Sequence, residues 1–128
     1  MGIHGIGIDV VEIERIRAAI DKHGESYLAK LFTPAERAYC DGHRDPAAHY
    51  AARFAAKEAV SKAMGTGIGK HAGLHDLEVG HAEGGGPIML LHGAAKDFAK
   101  AHGITQILIS LTHARDHAAA NAIALTAS

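Results

Sequence analysis

The spacing of apolar positions changes several times along the chain. Residues 3 to 11, IHGIGIDVV, concentrate isoleucine and valine between glycines, which predicts a strand with Asp9 near its end. From Glu12 to about His23 the pattern becomes helical. Ile13, Ile16, Arg17 and Ile20 recur at three and four residues until Gly24 closes the segment. A second short helix is expected through Tyr27 to Phe32. Thr33 followed by Pro34, with Glu36 at the third helical position, marks a capped helix ending near Gly42. Asp45 and Pro46 repeat that start and open a long helix to about Met64, which Gly65, Gly67 and Gly69 end.

Beyond residue 74 strand patterns dominate. LHDLEVGHAE and IMLLH flank a GGGP turn at 84 to 87 and predict a hairpin. A short helix covers 94 to 102. ITQILISLTH, 104 to 113, and HAAANAIALTA, 117 to 127, then read as paired strands across a short charged turn. Helices gather in the first half and strands in the second. This segregation predicts a single α+β domain over residues 1–128, with helices packed on one face of a mainly antiparallel sheet rather than alternating βαβ units. No internal repeat, low-complexity segment or linker interrupts it.

Composition narrows the classes of function. A length of 128 residues suits one core, small enough for oligomerisation to complete it. The formal net charge of −1, with eleven histidines counted neutral, argues against nonspecific nucleic-acid binding, which needs a broad cationic excess. Cys40 is the lone cysteine, so a reducing cytoplasm fits and a disulfide scaffold does not. No apolar run approaches the roughly 20 residues of a membrane helix, and MGIHGIGIDV has neither the basic region nor the long apolar stretch of a signal peptide.

The candidate chemistry lies on the long helix. In RFAAKEAVSKAMGTG, residues 53 to 67, Glu58 and Lys62 stand four apart on one face, with Ala56, Val60, Ala63 and Met64 gathered opposite as the buried stripe. Alone, Glu58 and Lys62 read most simply as an exposed ion pair worth about 0.2–0.5 kcal/mol. Asp9 changes that balance, because a carboxylate near the end of an isoleucine-rich strand is expensive to bury without a partner. It serves either as a cap for the following helix or as a second acid for a cation. Asp9 with Glu58 suits magnesium better than zinc, since magnesium takes one or two carboxylates and leaves its other positions to water and phosphate oxygens. A diphosphate substrate follows.

The other motifs divide between chemistry and structure. His113 closes a strand, where it would bind phosphate or move a proton, or simply sit on the surface. His71 and His75 have a chelating spacing only on a helix, which Gly67, Gly69 and Gly73 disfavour. GTGIGK at 65 to 70 fails as a phosphate loop, because Met64 stands where the pattern needs glycine and His71 where it needs serine or threonine. Ser61 has no histidine at a telling spacing and reads as a small residue on the helix surface. Arg15 and Arg17 are either a solvated face or a contact for an acidic partner.

Four ordered blocks resemble one family over nearly the whole chain. GIGIDVVEIERI at 5 to 16, FTPAERAYC at 32 to 40, RFAAKEAVSKAMGTGIG at 53 to 69 and ISLTHARDHAAA at 109 to 120 are similar to successive signatures of the holo-acyl-carrier-protein synthases, the short bacterial 4′-phosphopantetheinyl transferases. Thr112 departs from the serine of many relatives, and the loops carry unusually many histidines. The resemblance implies transfer of the phosphopantetheine arm of coenzyme A to a serine of acyl carrier protein, releasing adenosine 3′,5′-bisphosphate. It further implies that Asp9 and Glu58 hold Mg2+, that Lys62 neutralises phosphate charge, and that Arg53 and His113 meet the nucleotide end of coenzyme A. Arg15 would meet the acidic recognition helix of the carrier protein. Homotrimers with interfacial active sites are expected. Asp9, Lys62, His113 and a metal-bound water remain alternatives for the general base.

Overall fold

The computed structural model describes residues 1–127. Strand β1 (Gly2–Glu12) runs directly into α1 (Ile13–His23), and α2 (Glu25–Leu31), α3 (Pro34–Asp41) and α4 (Pro46–Met64) follow. A 3-10 turn at Leu74–Asp76 leads to β2 (Leu77–His81), β3 (Pro87–Leu91), α5 (Gly93–Ala101), β4 (Ile104–His113) and β5 (His117–Thr126). The architecture is the expected α+β domain with helices against antiparallel strands. The strands form two sheets, however: β1-β5-β4, with β5 central, and the separate hairpin β2-β3. α2 starts two residues before the expected Tyr27, because Gly24 takes a φ of 58° and ends α1 while serving as the N-cap of α2. No helix among the described residues is long and apolar enough to cross a membrane.

Helix α4 lies across β1, β5 and β4 and is buried on nearly every side. Ala56, Val60, Ala63 and Met64 are buried as expected, and so are Ala52, Ala55 and Ala59. Ser61 is buried as well. Its hydroxyl donates to the Glu58 carbonyl at 2.7 Å, so it is a packed residue and not a surface one. The close approach of α4 to β1 requires glycine. A Cβ at Gly7 would stand 1.9 Å from the Ala59 carbonyl oxygen, and one at Gly5 would stand 2.2 Å from that of Ala63. The glycines of IHGIGIDVV therefore face the helix, and Ile6, Ile8 and Val10 face outward with exposures of 71%, 67% and 59%. Asp9 follows the glycines inward.

The capping box of Thr33 and Glu36 forms as expected and reaches further than a cap. Glu36 Oε1 accepts from the Thr33 amide at 2.9 Å and from Lys57 Nζ at 2.7 Å, while Oε2 accepts from the Val79 amide at 2.8 Å. Lys57 also donates to the Leu74 carbonyl at 2.7 Å. Both charged side chains are fully buried, so desolvation pushes the Lys57 amine below the usual lysine range against the pull of Glu36. This pair ties α3, α4 and β2 together. Lys57→Met leaves Glu36 charged and unpaired in the interior and is expected to destabilise the fold by about 3–5 kcal/mol in urea unfolding. The double variant Lys57→Met with Glu36→Leu should recover only part of that loss, because it removes the buried charge but leaves the Thr33 and Val79 amides and the Leu74 carbonyl without these partners.

Candidate active site

Asp9 and Glu58 converge on one cleft of about 680 Å³, lined also by Glu12, Arg15, Tyr27 and Phe54. β1 supplies Asp9 at the position paired with Ala120 of β5, and α4 supplies Glu58 from a partly open stripe that also holds Phe54 and Lys62. Asp9 is not a helix cap: α1 begins at Ile13, its N-cap is Glu12, and no side chain caps it. The two acids feel each other. Desolvation first, then the Asp9 charge, raises the Glu58 carboxyl above the usual range, and Lys62 opposes the shift.

The ion pair of the long helix is not Glu58 with Lys62. Lys62 Nζ reaches across to β1, donating to the Ile8 carbonyl at 2.9 Å and to Asp9 Oδ1 at 3.2 Å. Lys62 remains half exposed, so its amine is anchored at one side and open at the other. Glu58 has no ion-pair partner among the described residues. Two carboxylates of raised mutual repulsion in a solvent-open cleft form a hard oxygen donor pair, which fits magnesium and its retained waters. No group of three or more potential ligands occurs among the described residues, so two carboxylates would leave most of a cation's coordination to water and substrate.

The two arginines of α1 separate. Arg17 is committed, with Nε 2.8 Å from Glu14 and Nη1 2.8 Å from Asp45. Asp45 is thereby drawn away from the cap role expected of it and makes no side-chain cap bond to α4. Arg15 lines the acidic cleft without an ion-pair partner among the described residues.

Arg53 and His113 lie elsewhere. Five residues separate Arg53 from Glu58, about 140° around the helix at about 100° per residue, so the two leave α4 on different flanks. Arg53 and His113 line a second pocket of about 190 Å³ with Tyr39, His49, His81 and Pro87, and it shares no residue with the Asp9 cleft. Within one chain the structure therefore brings together Asp9, Glu58, Lys62 and Arg15 on one side, and Arg53 and His113 on the other. Sequence reasoning missed Tyr27 and Phe54 in the first pocket and Tyr39, His49 and His81 in the second. His49 carried a signal, since it stands four residues before Arg53 on the same helix. His71 and His75 make no common site: His71 packs on Phe98, and His75 Nε2 lies 2.6 Å from the Ala29 carbonyl. Gly65, with a φ of 86°, ends α4 by donating to the Ser61 and Lys62 carbonyls, so GTGIGK is a helix terminus.

Known proteins share this fold. Residues 5–122 match the family model described as the 4′-phosphopantetheinyl transferase superfamily. A holo-[acyl-carrier-protein] synthase of Desulforudis audaxviator is 49% identical over 96% of this chain and 93% of its own. The crystal structure of the enzyme of that name from Neisseria meningitidis superposes with a TM-score of 0.90 at 31% identity, covering 97% of this chain and 99% of that one. That from Bacillus anthracis, solved in complex with CoA (3′,5′-ADP), gives 0.82 at 32% identity, covering 99% and 100%. The chain belongs to the holo-[acyl-carrier-protein] synthase family of the 4′-phosphopantetheinyl transferase superfamily.

Proposed function

We propose that the chain transfers the 4′-phosphopantetheine group of coenzyme A to a serine of apo acyl carrier protein in a magnesium-dependent reaction that releases adenosine 3′,5′-bisphosphate. The observation that carries this reading is the convergence of Asp9 and Glu58, with Lys62 beside them, in a cleft that also holds Arg15. The serine hydroxyl gives up its proton to a basic group of the site or to water as its oxygen forms a bond to the phosphorus next to pantetheine, the bridging P–O bond breaks, and its electron pair leaves with adenosine 3′,5′-bisphosphate. Asp9 and Glu58 would hold magnesium, which when bound supplies positive charge to the pyrophosphate oxygens. Lys62, held in place by Ile8 and Asp9, presents its ammonium to the charge that builds on those oxygens. No covalent nucleophile of the enzyme is required. Cys40 is no candidate in any case, since burial pushes its thiol up to about 12.

Incubation with coenzyme A, magnesium and apo carrier protein should add the phosphopantetheine mass to the carrier. A folded protein that adds nothing would leave only a binding module, and cleavage of coenzyme A without carrier would indicate a phosphohydrolase. Arg15→Ala should raise the KM for carrier protein about tenfold with little change in kcat, and added salt should mimic it. An effect confined to coenzyme A would contradict that role.

The assembled form we infer is a homotrimer working in the cytoplasm. The outer face of the three-stranded sheet supports it, since Ile6, Ile8, Val10 and Leu108 leave an apolar surface that a soluble monomer rarely keeps. The polar pair in that face is self-satisfied, with Ser110 Oγ donating to Asn121 Oδ1 at 2.6 Å. The occupant is another copy of this chain, because the acidic cleft and the Arg53 pocket open on different flanks of α4 and need a neighbour to meet across one substrate.

A further inference from the structure

The Arg53 flank of α4 holds more imidazole than a simple anion clamp needs. The rings of His43 and His49 stack with centroids 3.7 Å apart, and His113 meets His49 edge-on at 5.1 Å. Tyr39 contacts His43 at 4.6 Å and His81 at 4.3 Å, while the Arg53 guanidinium covers its ring at 4.3 Å. Arg53 Nη2 lies 3.2 Å from His81 Nε2. A guanidinium only donates, so this contact needs the lone pair of a neutral His81 ring. His43 is oriented by its own backbone, its Nδ1 donating to the Tyr39 carbonyl at 2.8 Å.

Negative charge is scarce here. The groups that bear on His49 are Arg53, His43 and His113 together with one carboxylate, Asp45, and those that bear on His81 are Arg53 and His43. Asp45 is already held by two bonds from Arg17, at 2.8 and 3.3 Å. Burial first, and the neighbouring cations after it, keep both imidazoles below the ordinary histidine range. An arriving phosphate would reverse the second effect and compensate the first.

We propose that His49 and His81 recognise a phosphate of the nucleotide end of coenzyme A, and of the released bisphosphate, by taking up a proton as it binds. The inference rests on the assignment of Arg53 and His113 to that end and extends it to two residues outside the family-like blocks. The sign follows from linkage. Each ring has a lowered pKa in the free protein and a raised one beside an anion, so between those values binding consumes protons. Affinity then strengthens as pH falls, by up to about tenfold per pH unit for each proton taken up, and levels off once the free protein is itself protonated.

Calorimetric titration of the whole protein with adenosine 3′,5′-bisphosphate tests this, from about pH 5.5 to about pH 8 in buffers of different ionisation heat. The second ionisation of a phosphate lies near pH 6 and contributes equally to any variant, so the histidine term is the difference between wild type and His49→Gln with His81→Gln. Expected are a net proton uptake in the wild type of about one half to one near pH 6.5 and its loss in the double variant, whose affinity should lose the histidine-linked strengthening as pH falls. Adenosine should elicit no uptake. Equal uptake in wild type and double variant, or none in either while the bisphosphate binds, overturns the inference. Failure of the bisphosphate to bind at any pH would instead remove the nucleotide assignment of this flank beneath it, and transfer activity would show whether the proposed reaction survives.

Discussion

Glu58→Gln is expected to lower magnesium-dependent transfer by roughly 10³-fold, about 4 kcal/mol of lost transition-state stabilisation. The side chain keeps its shape and loses its charge, so the donor pair falls from two carboxylates to one and the affinity for a hard cation drops with it. The fold should not suffer. Glu58 makes no ion pair among the described residues, and its raised pKa marks a charge that is costly to keep beside Asp9, so neutralising it relieves repulsion in the metal-free protein. Thermal unfolding without magnesium should therefore be unchanged or slightly higher, while added magnesium should stabilise the wild type and not the variant. Kinetics across a magnesium series decide the matter. Wild-type turnover by the variant at low magnesium would remove Glu58 from the metal site.

How far these features were legible in the sequence depended on whether local or distant contacts set them. The Thr33–Glu36 capping box and the stop at Gly65 were readable because their determinants lie within a few residues. The division of the strands into two sheets was not, since hydrophobic period reports a strand and not its neighbour. Lys57 was invisible for a related reason. A lysine in an alanine-rich helix looks like a solvated charge until Glu36 and Leu74 close around it from different segments. Asp45 stood at the right place for a cap, yet a doubly bonded guanidinium from α1 outcompeted the helix amides. The alternation in IHGIGIDVV identified a strand but not which residues it would bury. Its glycines face α4 because the backbone approach leaves no room for a Cβ, and that geometry turns the isoleucines outward. The same inward parity sets Asp9 toward Glu58, so the packing that exposes the apolar row also builds the acidic cleft.

That exposed row carries the second large effect. Ile8→Arg places a charge amid Ile6, Val10 and Leu108 and should break the proposed trimer into folded single chains, because Ile8 is already 67% exposed within one chain and its replacement leaves the core intact. Light scattering should report about a threefold lower mass, circular dichroism an unchanged fold, and transfer should fall at least about 100-fold, since each chain then holds its acidic cleft and its Arg53 pocket on separate flanks. A trimer that survives with full activity would reject the interface, and active monomers would reject the shared site. Mixing inactive chains separates a shared site from mere loss of stability. Glu58→Gln supplies a sound Arg53 flank and Arg53→Ala a sound acidic cleft, and each alone should be nearly inactive. In co-expressed mixtures about a quarter of the sites in a ring would pair one sound half with the other, restoring about a quarter of wild-type activity. If both halves of a site came from one chain, no mixture would exceed its components.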